Sequence, residues 1–122
     1  MPAAKRDPGY LWDMLEAARA VQEWVEETKF YYYQQNRLLQ AGVERMIEII
    51  GEAARHVSEG FKKEHPEIPW KRMISQRNVL AHEYGEIKQE KLWILASEGI
   101  PVLIAQLEKL VPSPPAEYTE QD

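Results

Sequence analysis

Hydrophobic residues recur at helical spacing along most of the chain. The longest series steps by three or four residues over more than twenty positions, which predicts a helix of roughly 30 Å or more. Its members are Leu39, Val43, Met46, Ile50, Ala53, Val57 and Phe61. Gly42 and Gly51 lie inside this series at a cost of about 1 kcal/mol each relative to Ala. Because small residues let another helix approach closely, they indicate tight packing.

A first helix is predicted ahead of this long one. Asp7 suits its N-cap and Pro8 its first turn, where no backbone donor is lost. Its inner face is formed by Leu11, Leu15, Ala18, Val21 and Val25. The helical pattern fades near residues 26–28.

Prolines divide the second half of the chain. His65 to Pro69 form a break, because two prolines three residues apart cannot continue a helix. A third helix is predicted from Trp70 to about Tyr84, with Gly85 as its stop. A fourth helical region follows, from about Lys88 to Val111. Pro101 either kinks it or divides it in two.

These elements predict an all-α fold, an antiparallel bundle of four to five helices. No strand pattern or internal repeat competes with this interpretation. Residues 1–111 form the predicted domain. Residues 112–122 are rich in proline and acidic residues and are predicted to be disordered.

Composition narrows the class of protein. The chain has 122 residues, no cysteine and no apolar stretch near the roughly 20 residues that a membrane span needs. A cytoplasmic protein without disulfides or thiolate metal sites is expected. The net charge of −5 argues against a surface that grips nucleic acid everywhere. However, the segment from Lys62 to Arg77 holds five cations and two anions. It is either a basic approach to a site or a solvated helix end.

Arg77 lies in the apolar stripe of the predicted third helix rather than on its solvated face. The stripe consists of Trp70, Met73, Arg77, Leu80 and Tyr84, at spacings of three and four. A guanidinium is always charged and is rarely buried without a partner. Arg77 is therefore either paired with a core carboxylate, for which Glu52 is a candidate, or kept in a cleft for phosphate.

His82 follows Arg77 by five residues, about 140° around a straight helix. The two side chains therefore do not share a face within one helix. Either the helix ends near His82 and turns the imidazole inward, or two copies of the segment meet across a two-fold axis. A simple capping role for His82 at the helix end is the alternative.

Arg77 to Tyr84, with the sequence RNVLAHEY, resembles the R-N-x-x-x-H-x-Y signature of HepT-like proteins in the HEPN superfamily. Ile49 to Ala54 resembles the family's second-helix I-G-E-A segment, and His65 to Trp70 resembles its H-P-E-I-P-W turn. Trp93 and Pro101 also fit its last helix. The resemblance covers roughly residues 7–111, although Tyr31 to Asn36 depart from the acidic segment typical of the family.

The resemblance implies a metal-independent endoribonuclease, the toxin of a toxin–antitoxin pair, without a cofactor. Arg77 and His82 would be catalytic, and Asn78 would orient or bind the phosphate. An imidazole can take the proton of a ribose 2′-hydroxyl, and an arginine can stabilise the charge on the phosphate. The implied partners are an RNA substrate, a second copy of the chain and a nucleotidyltransferase antitoxin of the MntA kind; neither DNA nor a membrane is expected.

The resemblance also gives Tyr84 a role, as the residue to which the antitoxin attaches AMP. The added phosphate would occupy the cationic site and exclude RNA. On spacing alone, a buried aromatic that closes the apolar stripe is the favoured interpretation of Tyr84. Tyr31, Tyr32 and Tyr33 point in three directions on a helix, so at least one is expected in the core, and an exposed ring could stack on bases.

Two other functions compete with the ribonuclease. One is a non-catalytic HEPN module that binds a nucleotide or a nucleotidyltransferase, and the other is a purely structural helical dimer. They differ from the enzyme in whether Arg77 and His82 share an open cleft. A nucleotidyltransferase within this chain is not expected, because no Gly-Ser segment with a following Asp-x-Asp pair is present.

Overall fold

A computed structural model describes residues 3–82, 89–111 and 113–115, with side chains described for 6–78, 89–111 and 113–115. Over these ranges the backbone is mostly helical and contains no strand, which confirms the all-α class. The elements are α1 (Ala3–Val25), α2 (Phe30–Gln35), α3 (Arg37–His56), α4 (Glu59–Glu64), α5 (Trp70–His82), α6 (Gln89–Ile94) and α7 (Ile100–Leu110).

The core lies between α1, α3 and α7, and α5 packs on α3. The inner face predicted for α1 is fully confirmed, because all five of its members are buried. The predicted start of α1 is wrong, since the helix begins at Ala3 and contains Pro8. Asp7 is buried instead of capping α1, and its carboxylate accepts hydrogen bonds from Ser58 N (2.9 Å) and Ser58 Oγ (2.6 Å).

The long second helix is shorter than predicted. Its apolar face is confirmed, but α3 ends at His56 and Val57 has an extended backbone with ψ of 141°. Ser58 then caps α4, where its Oγ accepts a hydrogen bond from Phe61 N. The apolar spacing in the sequence nevertheless continues to Phe61, because α4 packs the Phe61 side chain against the core.

A separate short helix, α2, precedes α3. Tyr33 is completely buried, whereas Tyr31 and Tyr32 are exposed, which confirms that the three rings point in different directions. Asn36 ends α2 and caps α3, because its side chain accepts a hydrogen bond from Leu39 N at 3.0 Å.

The break and the last helical region follow the prediction. The backbone leaves helix between His65 and Pro69, and Trp70 begins α5. A π-helical turn, Leu95–Gly99, joins α6 to α7 just before Pro101, whose missing N–H a regular helix would require. Tyr84, Gly85 and residues 116–122 lie outside the described residues, so the helix stop and the domain limit stay predictions.

Candidate functional site at the crossing of α3 and α5

The candidate site lies where α5 packs on α3, and the two helices come closest at Gly51 of α3. A methyl group placed on Gly51 would collide with Cβ of Arg77 and lie 2.5 Å from the carbonyl oxygen of Met73. The tight packing predicted for this glycine is confirmed. At Gly42 an added methyl would lie 3.1 Å from the Trp24 ring. The absence of a side chain at Gly51 therefore sets how close Arg77 comes to α3.

Arg77 is held at this crossing by charge. Its side chain is 22% exposed, and Nη2 lies 3.0 Å from Oε2 of Glu52. Nη1 donates to Oδ1 of Asn78 at 3.1 Å. Within the described part of the chain, Arg77 Nε and Glu52 Oε2 are buried and lack a partner in hydrogen-bond geometry. The guanidinium and carboxylate are thus close, but they do not form the bidentate pair that would engage both groups fully.

Three side chains contact the carboxylate of Glu52: Arg55, His56 and Arg77. Oε1 of Glu52 accepts a hydrogen bond from Arg55 at 2.9 Å and lies 3.0 Å from His56 Nε2. The hydrogen bond from Arg55 is the main reason that the pKa of Glu52 falls to about 2; partial burial opposes this, and His56 and the charges of Arg55 and Arg77 add to the fall. Glu52 is therefore a stable anion beside Arg77.

An open cleft of about 200 Å³ lies over this ion-pair group. It is lined by Tyr10, Asp13, Arg45, Glu48, Ile49, Glu52, Ala53, His56 and Arg77. Both signs of charge are present, and Arg45 pairs with Glu48 at 3.0 Å. The pKa of Asp13 is raised, first by burial and then by the neighbouring charge of Glu16. Arg77 is therefore accessible to a ligand in the cleft, while the other charged side chains that line it are mostly paired with one another.

Residues 14–110 match the model of a protein family described as ribonuclease HepT-like. The chain belongs to the HepT-like ribonuclease family. A probable ribonuclease HepT from Thermococcus cleftensis is 39% identical over 101 residues, which cover 83% of this chain and 92% of that protein. A protein of Methanocaldococcus jannaschii named as a candidate RNase is 35% identical over 106 residues, 86% of this chain and 97% of its own length.

A third relative, from Caldanaerobacter subterraneus and also named as a candidate RNase, is 28% identical over 102 residues, 84% of this chain and 91% of that protein. No solved structure matches the chain significantly. The resemblance seen in the sequence is confirmed, and with it the expectation of a ribonuclease family.

Of the motif expected for a HepT-like ribonuclease, the structure describes the first half. Arg77 faces the cleft, and Asn78 is exposed beside it with its amide oxygen on the guanidinium. His82 is the last residue of α5, but its side chain and all of Tyr84 lie outside the described residues. Whether His82 meets Arg77 within one subunit or across two therefore stays a prediction.

Sequence reasoning found the contact between Glu52 and Arg77 but missed its surroundings. His56 is exposed, and its ring stacks on that of Tyr10, with ring centroids 5.3 Å apart. The spacing of Glu52, Arg55 and His56, at i, i+3 and i+4, was the available signal. Tyr10 and Arg45 carried no comparable signal.

Among the residues that the structure describes, no helix is long and apolar enough to cross a membrane. Within the same residues, no group of three or more His, Asp or Glu side chains has the arrangement of a metal site.

Proposed function

We propose that this HepT-like ribonuclease is an endoribonuclease toxin that cleaves RNA with Arg77, His82 and Asn78. The observation that carries the proposal is Arg77 at an open cleft, beside Asn78, in a family of ribonucleases. A guanidinium in an otherwise apolar stripe of a helix is unfavourable unless it is paired with an anion of the protein or binds an anionic ligand. Glu52 supplies the partner, but the side chain of Arg77 remains 22% exposed and lines the cleft, so the guanidinium can still contact a phosphate there.

In the proposed reaction, His82 removes the proton from a ribose 2′-hydroxyl. The 2′-oxygen then bonds to the adjacent phosphorus as the bond from phosphorus to the 5′-oxygen breaks. The leaving 5′-oxygen takes up a proton, so that the products are a 2′,3′-cyclic phosphate and a 5′-hydroxyl. Arg77 binds the phosphate and stabilises its developing charge, and Asn78 orients it.

Glu52 is the proposed support of this site. Its carboxylate lies 3.0 Å from Arg77 Nη2 and is kept ionised by Arg55 and His56. It therefore holds the guanidinium over the cleft while no substrate is bound, which lowers the entropy lost when a phosphate binds.

The active form is proposed to be a two-fold homodimer. Arg77 and His82 are separated by about 140° around α5, so a second copy would complete the constellation that one straight helix cannot form. Each of the two sites would combine residues of both subunits.

Regulation is proposed to act at Tyr84. A nucleotidyltransferase antitoxin would join the Tyr84 oxygen to the α-phosphorus of ATP and release pyrophosphate. The attached AMP would place a phosphate near Arg77 and block RNA by charge and bulk. Purified toxin incubated with such an antitoxin and ATP should gain the mass of AMP, whereas a Tyr84→Phe variant should not.

The mixed charge of the cleft favours one alternative, a HEPN module that binds a nucleotide or partner protein without cutting RNA. Arg45 and Arg77 each lie beside a carboxylate, which weakens attraction for a polyanion. In this alternative, the same residues bind but perform no proton transfer.

The deciding experiment is cleavage of a mixed RNA pool, with chelator present, by protein whose intact mass shows no modification. Wild type should produce cyclic-phosphate ends, and Arg77→Ala and His82→Ala should each lose about 10²-fold or more of the rate. Arg19→Ala and His65→Ala remove the same side-chain types outside the motif and should cut normally. If unmodified wild type cuts nothing, or the motif variants cut as well as their controls, the binding module becomes the better account.

A further inference from the structure

The surface of α2 combines exposed aromatic rings with positive charge, and the proposed chemistry does not use it. Tyr31 and Tyr32 are 64% and 65% exposed, and their ring centroids lie 5.5 Å apart in an edge-to-face arrangement. Lys29 and Arg37 flank this helix and are also exposed. We call these four residues the α2 platform. No Asp or Glu occurs between residues 29 and 43, although the chain as a whole carries a net charge of −5.

The platform rests on a well-anchored helix. The buried ring of Tyr33 lies 5.2 Å from that of Trp93, and its hydroxyl donates to Gln89 Oε1 at 2.6 Å. Gln40 Nε2 donates to the carbonyl oxygens of Tyr33 (2.9 Å) and Gln34 (3.0 Å). The exposed rings contribute little to this anchoring. They are therefore held in place by their neighbour, as a preorganised binding surface requires.

The α2 platform is joined by a direct contact to the chain that follows α5. Tyr33, in the same helix as the platform rings, donates its hydroxyl to Gln89 Oε1, and α5 ends at His82, seven residues before Gln89. Seven residues span at most about 25 Å, so the end of α5 lies within about that distance of Gln89. The 14 residues from Arg37 to Gly51 span about 21 Å of helix. Single-stranded binding domains cover sites of roughly 4–16 nucleotides, so one strand can reach both places.

We propose that the α2 platform is a stacking subsite for unpaired bases of single-stranded RNA, and this inference rests on the proposed function. Tyr31 and Tyr32 supply ring faces for bases, and Lys29 and Arg37 neutralise flanking phosphates. Every base has a π-face, so this contact is sequence-tolerant. The platform thus selects unpaired RNA and guides it toward the cleft at Arg77.

Binding can be measured separately from cutting. In a His82→Ala background, the probe is a fluorescein-labelled, unstructured 12-nucleotide RNA followed by anisotropy. Tyr31→Ala with Tyr32→Ala should raise Kd about tenfold or more, because stacking on each ring is lost. Tyr31→Phe with Tyr32→Phe keeps the rings and should leave Kd nearly unchanged. Unchanged Kd for the alanine pair overturns the proposal.

The charged half of the platform has its own readout. Lys29→Gln with Arg37→Gln should reduce the slope of log K against log salt concentration by about 1.4, since each phosphate contact on a single strand contributes about 0.7. Lys109→Gln changes an exposed lysine on α7 and should not alter the slope. If the double variant keeps the wild-type slope, the two cations do not contact phosphate and the proposal fails.

Sedimentation and thermal unfolding of the same variants distinguish a lost RNA contact from lost self-association and from unfolding. The Tyr31→Ala, Tyr32→Ala variant should keep the sedimentation mass and the melting temperature of the wild type. If it loses both self-association and RNA binding, the surface is an interface between copies and the proposal is overturned.

The outcomes for binding and for cutting distinguish the platform from the proposed function. If wild type binds through the platform but cuts no RNA, the proposed function fails while the platform stands. If wild type cuts RNA and the alanine pair binds it as tightly as wild type, the platform fails while the proposed function stands.

Discussion

At the scale of single residues, Gly51 controls the position of Arg77. The two helices approach so closely that a methyl group on Gly51 would meet Cβ of Arg77 and the backbone of Met73. Neither group lies at the far end of a flexible side chain, so neither can rotate away. The helix crossing and the placement of the guanidinium therefore depend on the same missing atom.

We expect Gly51→Ala to destabilise the protein by about 1–3 kcal/mol, as overpacking does, and to lower RNA cleavage as well. Gly60→Ala is the matched control, because a methyl at Gly60 would meet nothing within 4 Å. It should stabilise by up to about 1 kcal/mol. Urea unfolding of both variants measures this. Equal stability of the two would show that α5 shifts at little cost.

The second residue-scale prediction concerns the pH dependence of stability. The pKa of Glu52 lies at about 2 in the folded protein, below its ordinary value of 4.5. Ionised Glu52 therefore stabilises the fold fully above about pH 4.5, and this contribution disappears as pH falls through 2. Because the side chain is 37% exposed, solvent screening keeps the effect small, about 1 kcal/mol or less.

Glu52→Gln should thus be less stable than wild type at pH 6, and the difference should shrink toward pH 2. Glu23→Gln, which alters an exposed carboxylate on α1, serves as the control. Urea unfolding at pH 6, 4 and 2.5 provides the comparison. A difference that grows on acidification would mean that the ion pairs around Glu52 do not stabilise the folded state.

At the scale of elements, side-chain caps mark where one helix ends and the next begins. Asn36 separates α2 from α3, and Ser58 separates α3 from α4 at a point where the apolar pattern would have continued the helix. Ser58 does more than cap, because its N–H and hydroxyl both donate to the buried carboxylate of Asp7. One serine therefore starts α4 and ties it to α1.

Ser58→Ala should cost about 2 kcal/mol or more, since it loses both a cap and a hydrogen bond to a charged group. Asn36→Ala should cost only about 1 kcal/mol, because it loses the cap alone. Thermal unfolding of the two variants compares them directly. If their losses are equal, the hydroxyl of Ser58 gains nothing from Asp7.

At the scale of the whole molecule, the proposed dimer makes a prediction that a monomeric enzyme does not. If Arg77 and His82 act from opposite subunits, mixing Arg77→Ala with His82→Ala should restore activity. Random exchange makes about half of the dimers mixed, and each mixed dimer has one intact site of two. We therefore expect about one quarter of wild-type activity.

Subunit exchange in mild denaturant followed by dilution and an RNA cleavage assay tests this. Each variant refolded alone is the control and should remain inactive. Loss of activity in the exchanged mixture as well would place Arg77 and His82 in the same subunit, and the composite site would be wrong.

Much of the bundle could be predicted because its determinants are local. The buried faces of α1 and α3 follow from residues three or four apart, whose side chains must share a side of the helix. The break before Trp70 follows from the geometry of proline. The motif from Arg77 to Tyr84 and the blocks around Gly51 and Pro66 were enough to indicate the family that the comparisons confirmed.

Other features depended on contacts between residues far apart in sequence. The helix break at Ser58 involves Asp7, which lies 51 residues earlier, so local spacing wrongly continued the helix. Glu52 could be named as a partner of Arg77, but the cleft with Tyr10 and Arg45 arises only when α1, α3 and α5 pack together. The sequence by itself determined the helical class, the inner faces of α1 and α3, the break before α5 and the family. Tertiary structure alone decided where those helices approach, because close packing depends on every neighbouring side chain at once.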